Sequence, residues 1–244
     1  MKRFFAFVKM LFLLFSKYRF LLFGKKKFLP SGKTLFVFAH PDDEMLAVAA
    51  ILWIIANGDE VIVFTASKGE GGLTNDLCLP HELGTVREGE LMKAMSILGV
   101  SRVYLRDYGD GNLPDRRREI TDDLLNVIRT EAPDQVVTLP PSGVTCHPDH
   151  IEIQEATHDV VKSQSNRIPL FYRVIPKESA GIVDVEHDSL PITHLVPAFP
   201  FKEQTWAAMN AHRTQKEAMS TIFPALAENN KNLLWDEEYY SLIP

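Results

Sequence analysis

Cysteine is nearly absent: Cys78 and Cys146 are the only two in 244 residues, far apart and forming no Cys-x-x-Cys pair. No disulfide framework or thiolate metal site is indicated, which suits a reducing compartment. No Gly-x-Gly-x-x-Gly follows the first strand-like run, which argues against a dinucleotide domain. Internal repeats and low-complexity tracts are also missing. No uninterrupted apolar run reaches the ~20 residues of a standard membrane span. Acidic residues are wanting at the start, where the first 33 residues hold nine of the 26 Lys and Arg and none of the 32 Asp and Glu. The net charge of −6 therefore combines a basic head with a strongly acidic body. An acidic body without a basic stripe argues against nucleic acid as substrate. The chain as a whole, 45% hydrophobic and 24% charged, has the make-up of one ordinary globular domain.

In the head, Phe4 to Val8, Met10 to Phe15 and Phe20 to Phe23 are interrupted by Lys9, Lys17 and Arg19. Wound as a helix, Lys2, Lys9 and Ser16 fall near one line and leave a wide face of Phe and Leu. Such a helix lies in a membrane interface, its cations toward anionic lipid. A tilted span flanked by Lys2, Arg3 and Lys25-Lys26-Lys27, or packing on the domain, are the alternatives. Lys9 within the apolar region, with no small-x-small site after it, speaks against a cleaved signal peptide. Residues 1–29 are thus read as a basic, apolar N-terminal helix that associates with membrane through residues 1–27, and residues 30–244 as the functional domain. The expected location is cytoplasmic, peripheral to or anchored at the membrane.

The domain is organised around Thr34-Leu35-Phe36-Val37-Phe38-Ala39-His40-Pro41-Asp42-Asp43-Glu44. The apolar run reads as a buried strand that ends at His40, because Pro41 removes a donor and disfavours helix at the residue before it. Glu44 to Ile55 has helical length and closes at Asn57-Gly58. One imidazole and three carboxylates therefore sit on a strand-to-helix turn, where open α/β sheets bind ligands. Acidic residues at a helix start are also ordinary caps. Yet the punctuation occurs twice: Asp134 to Pro140 is strand-like and leads to Cys146-His147-Pro148-Asp149-His150 and a second helix. His147 and His150, three apart, project to nearly the same side of a first helical turn. A catalytic zinc needs three protein ligands and an open position. His40, one aspartate of the Asp42/Asp43 pair and His150 would supply them.

These paired motifs resemble the LmbE-like zinc de-N-acetylases, the family that includes the N-acetylglucosaminyl-phosphatidylinositol de-N-acetylases. The resemblance covers roughly residues 34–215. It takes in Thr65, Gly69-Glu70 and Gly72, Arg87 with Glu88 and Glu90, Asp107 to Pro114, and Ala211-His212-Arg213-Thr214-Gln215, where Thr214 replaces a commoner serine. It implies His40, Asp43 and His150 as ligands of zinc, with ferrous or another divalent ion possible. It further implies Asp42 as general base, His147 as the group that stabilises or protonates at the reacting amide, and Arg87 as a substrate contact. The implied activity is hydrolysis of the N-acetyl group of an N-acetylglucosaminyl glycolipid, glycoconjugate or small glycoside. The alternatives are another N-acyl substrate on the same scaffold and a membrane-tethered sugar-binding protein without catalysis.

The remaining chain is read from its own signals. Glu60 to Thr65 and Val103 to Leu105 are strands, and residues 117–130 form a charged helix that ends before Pro133. Thr85 with Glu88 makes a capping box for a helix to Leu98, closed at Gly99. Arg87 suits an ion pair with Glu88 or Glu90 as well as a substrate contact. Asp110 suits an Asx turn as well as a substrate-binding role. Ile168 to Val174 and Thr193 to Val196 are strand-like, Gly181 to Asp188 a turn or hairpin, and residues 201–220 one helix. His212 suits either the family role or a buried, hydrogen-bonded one. The alternation predicts an α/β, Rossmann-like three-layer domain with a mostly parallel sheet.

Overall fold

The structure, a computed structural model, describes residues 28–100, 102–176 and 188–244. The N-terminal segment and most of the turn expected at Gly181 to Asp188 lie outside these. Among the described residues no helix is long and apolar enough to cross a membrane.

The first strand, β1 (Thr34–Phe38), is buried on both faces and lies inside the sheet. Alternation along it divides the core: Phe36 and Phe38 face one hydrophobic layer, Leu35 and Val37 the other. The first layer is completed by α1 (Val48–Ala56) and α2 (Leu83–Leu98), through Ile51, Leu91 and Met95. The second holds α3 (Arg117–Glu131) and α4 (Pro148–Ser163), through Ile120, Leu124, Ile153 and Val160. Truncating a wholly buried phenylalanine in such a core costs about 3–5 kcal/mol. Helices on both faces of the sheet make the expected three-layer domain.

The sheet continues through β2 (Val61–Thr65), β3 (Arg102–Leu105), β4 (Gln135–Thr138), β5 (Leu170–Val174), β6 (His194–Pro197) and β7 (Glu237–Ile243). Its order is β3-β2-β1-β4-β5-β7-β6. The five strands from β3 to β5 are parallel, while β7 pairs antiparallel with β5 and β6. The order reverses between β1 and β4, so their carboxyl ends flank a topological switch point where such sheets open a crevice.

Three helix expectations are corrected. The segment from Glu44 is not one helix: Asp43–Ala47 is a 3-10 turn, and Ala47 (φ −126°, ψ 21°) separates it from α1. A new helix start follows because Glu238 on β7 accepts from Ala49 and Ala50 N–H (2.7 and 3.0 Å), capping α1 from a distant strand. The Thr85–Glu88 box does not form, since α2 begins at Leu83 behind a 3-10 turn, Pro80–Glu82. There Glu82 Oε2 accepts from Leu79 N–H, while Gly99 closes the helix as expected with φ 83°. Residues 201–220 split into α5 (Lys202–Met209) and α6 (Lys216–Ser220). The intervening His212 and Thr214 are drawn away to Glu44 and Glu90. A short α7 (Pro224–Ala227) precedes β7.

Candidate active site

The turn after β1 and the turn before α4 meet at the switch point. Nδ1 of His40 lies 3.1 Å from Nε2 of His150, which lies 3.2 Å from Oδ1 of Asp43, and Asp43 Oδ2 is 3.8 Å from His40 Nδ1. Tetrahedral zinc bonds near 2.0–2.1 Å set ligand atoms about 3.3 Å apart, a spacing matched by His40 Nδ1 with His150 Nε2 and by His150 Nε2 with Asp43 Oδ1, while the 3.8 Å approach to His40 is made by the other oxygen of Asp43. The rings are oriented from behind. His150 Nδ1 is 2.9 Å from Gly143 O, a bond that places the proton there and leaves the Nε2 lone pair for the centre. His40 Nε2 lies 2.9 Å from Asp110 Oδ1 and 3.1 Å from Asp149 Oδ2, which likewise reserves Nδ1. Asp149 is itself wholly buried, accepting from Gly111 and Leu113 N–H. Asp43 is fixed through Oδ2, which accepts from Ala39 and His40 N–H.

The electrostatics follow from burial and crowding. Burial alone would lower the His40 pKa, but its bonds to Asp110 and Asp149 and the charge of Asp43 raise it to about 10. Burial would raise Asp43, but the charges of His150 and His40 hold it well below the usual carboxylate range. Asp42 is pushed up to about 6, chiefly by burial, with Arg87 opposing and the Asp43 charge assisting. His147 is lowered, first by burial and then by repulsion from His40 and His150.

His147 is the N-cap of α4, its Nδ1 accepting from Asp149 N–H at 3.2 Å. Neutral His147 therefore carries its proton on Nε2. The ring centroid stands 5.0 Å from that of His40 and 5.1 Å from that of His150. His40, His147 and His150 form one group with metal-ligand spacing and His40, Asp110 and Asp149 another. Asp43 adds to the His40–His150 pair a carboxylate already held by two backbone amides.

Asp42 and Arg87 complete the turn. Arg87, 3% exposed, donates Nη2 to Asp42 Oδ1 (3.0 Å) and to the Pro41 carbonyl, and Nη1 to Gly69 O (2.8 Å). It pairs with neither Glu88 nor Glu90; Glu90 instead receives Thr214 N–H and Oγ1–H. A side chain on Gly69 (φ 67°) would bring its Cβ within 2.3 Å of the Arg87 guanidinium, which explains the glycine. Asp110 makes no isolated Asx turn: one oxygen meets His40 and the other accepts from Gly71 N–H.

These groups open on a cavity of about 390 Å³. His40, Asp42, Asp43, His147 and His150 line one part of it, and Leu46, Val144, Met219, Ile222 and Phe223 supply apolar walls. All seven residues expected at the site, Arg87 and Asp110 included, border this one cavity. Three residues that the motifs contain but to which the sequence assigned no site role join these: Asp149 behind His40, Glu44 beneath Asp42, and Gln215, which lines the cavity and donates to Leu73 O. Asp149 was signalled only by its place between the two histidines.

The model of the PIG-L family, GlcNAc-PI de-N-acetylase, matches residues 35–161. The chain belongs to this family. It is thereby an enzyme, a metal-dependent de-N-acetylase in class. A 1D-myo-inositol 2-acetamido-2-deoxy-alpha-D-glucopyranoside deacetylase from Mycolicibacterium gilvum is 35% identical, aligned over 74% of this chain and 80% of its own length. The fold is that of the N,N'-diacetylchitobiose deacetylase from Pyrococcus horikoshii, with TM-score 0.69 and 23% identity over 87% of this chain and 84% of that one. GalB, the 4-carboxy-2-hydroxymuconate hydratase from Pseudomonas putida KT2440, shares the fold too (TM-score 0.61, 16% identity, 87% and 96% covered). Architecture alone therefore does not choose the reaction, and the site residues must.

Proposed function

We propose that this family member hydrolyses the N-acetyl group of an N-acetylglucosaminyl compound, using a zinc ion held by His40, Asp43 and His150. The observation that carries the reading is the convergence of those three donors, at 3.1, 3.2 and 3.8 Å, beside Asp42 and His147 in one cavity. A divalent ion so held supplies Lewis-acid activation of water and of the acyl carbonyl. The chain's own residues do the rest. Asp42, with its carboxyl raised toward neutrality, takes a proton from the attacking water. His147, protonated at Nε2 because Nδ1 accepts from the helix, donates to the oxygen that becomes negative as the carbonyl is attacked. The C–N bond then breaks, the proton passes to the departing nitrogen, and acetate and a free amine result. Arg87 holds the Asp42 carboxylate and the turn that carries it.

The sugar is supported by relatives that act on N-acetylglucosamine-containing compounds. The apolar cavity walls support an aglycone with an apolar part. The basic aromatic head at 1–29 supports a lipid-linked sugar or a membrane-surface location for the domain at 30–244. Acetate release is to be measured on N-acetylglucosaminides with phosphatidylinositol, inositol, alkyl and methyl aglycones and on longer acyl amides, with and without residues 1–27. Acetate from the acetylated sugars, fastest on the lipid-linked one and slowed there by the deletion, is the expected result. Preference for a longer acyl group would move the reading to another N-acyl substrate. Unchanged activity on lipid-linked sugar after the deletion would remove the head from the account. Metal analysis of the same protein separates zinc from iron, which these ligands also accept.

A further inference from the structure

Asp42 has φ 106° and ψ −20°, a left-handed conformation that glycine takes readily and an aspartate does not. Glycine here would forfeit the carboxylate, so the fold must impose the conformation on an acidic residue. Asp42 N–H donates to Glu44 Oε2 at 2.9 Å. The other oxygen of Glu44, Oε1, lies 2.6 Å from His212 Nε2, and both side chains are wholly buried. His212 Nδ1 has no hydrogen-bond partner among the described residues, so its contact with Glu44 is the ring's polar tether. Neither Glu44 nor His212 borders the cavity, and neither is placed to touch substrate.

A wholly buried carboxylate two residues from Asp42 adds unwanted negative charge to a crowded turn, and needs a partner to stay there. His212 supplies that partner from a segment 168 residues away in sequence, the same segment whose detour divides α5 from α6. We propose that Glu44 and His212 are a positioning pair, which locks Asp42 in its left-handed turn and so aims its carboxylate at the water it deprotonates. The inference rests on the base role given to Asp42 above. It assigns Glu44, through a backbone bond, and His212, through Glu44, to the orientation of that base.

The test replaces both groups together, Glu44→Leu with His212→Phe, so that neither polar partner is left unpaired and the fold is retained. The double variant should keep its metal and its KM while kcat falls by about 10–100-fold, the loss expected from misplacing a reacting group by about an ångström. Introduced into Asp42→Ala, the same pair of changes should lower the residual turnover no further, because there is no base left to aim. Glu44→Gln, which keeps an oxygen for Asp42 N–H, should retain most of kcat. An equal loss in the parent and Asp42→Ala backgrounds, parental kcat in the double variant, or a Glu44→Gln loss as deep as the double variant's would overturn the proposal. If the parent releases no acetate from any N-acetylglucosaminide, the hydrolase reading fails separately. The pair is then judged by crystal structures of the double variant and Glu44→Gln. Asp42 leaving positive φ in the former and keeping it in the latter supports it; Asp42 unmoved in the former contradicts it.

Discussion

Asp149 Oδ2 lies 3.1 Å from Nε2 of His40, while Nδ1 of the same ring lies 3.1 Å from Nε2 of His150. The carboxylate and the proposed metal position are thus on opposite nitrogens of one imidazole, and the first determines how the second is presented. Partners of this kind typically change metal affinity by about 10–100-fold. Asp149→Asn should weaken zinc by that factor, read by competition with a chromophoric chelator. Unaltered affinity would mean that Asp110 suffices to orient His40.

The proposed ligand and base roles are separable by mutation. His150→Ala should lose both metal and turnover. Asp42→Ala should retain about one equivalent of metal and lose turnover by about 10²–10⁴-fold, the range for general bases. Metal analysis alongside acetate release checks both; wild-type activity in Asp42→Ala would end its assignment as base.

His147 is distinguished from the proposed ligands by its cap bond to Asp149 N–H. His147→Ala should leave the metal bound and reduce kcat by about 10²–10³-fold, as expected for one lost oxyanion donor. Equal loss of metal would move it into the ligand set, with which its spacing is compatible.

Metal and protons compete for the same nitrogens. Against burial, the bonds to Asp110 and Asp149 and the charge of Asp43 raise the pKa of His40 to about 10, so well below that pH the metal-free ring is already protonated and must release its proton to ligate, at a cost that grows with each unit the pH falls. Zinc affinity should therefore fall between pH 8 and pH 6, and chelator should strip the protein faster at the lower value. Isothermal titration in buffers of different ionisation enthalpy should also register proton release on binding. A pH-independent affinity with no protons released would contradict this.

Much of the site was legible because it is local. Pro41 follows the first strand and Pro148 opens α4, and the histidines and carboxylates cluster within a few residues of each proline. Strand β1 was legible from its continuous apolar run, and the rhythm of strands and helices gave the parallel sheet. Contacts between polar residues far apart in sequence were not. Glu238 caps α1, His212 meets Glu44, and Glu90 receives Thr214, and none of these pairs has a period or spacing that announces it. These contacts explain two of the misread boundaries, with Glu238 capping a new helix start at α1 and the 212–214 segment held to Glu44 and Glu90 between α5 and α6, while the start of α2 was misread for a local reason, the 3-10 turn at Pro80–Glu82. The left-handed turn at Asp42 was equally hidden, because no glycine marks it.

The proposed function places N-acetyl hydrolysis at the convergence of His40, Asp43 and His150 beside Asp42. Its most direct test follows acetate and free amine by proton NMR from an N-acetylglucosaminide, using protein stripped by chelator and then restored with one equivalent of zinc. The stripped protein should show no turnover, and the restored protein should release acetate and amine in equal amounts. Acetate released at the same rate by the stripped protein, or none released by zinc-loaded protein on any N-acetylated sugar in the panel, would contradict the proposed function.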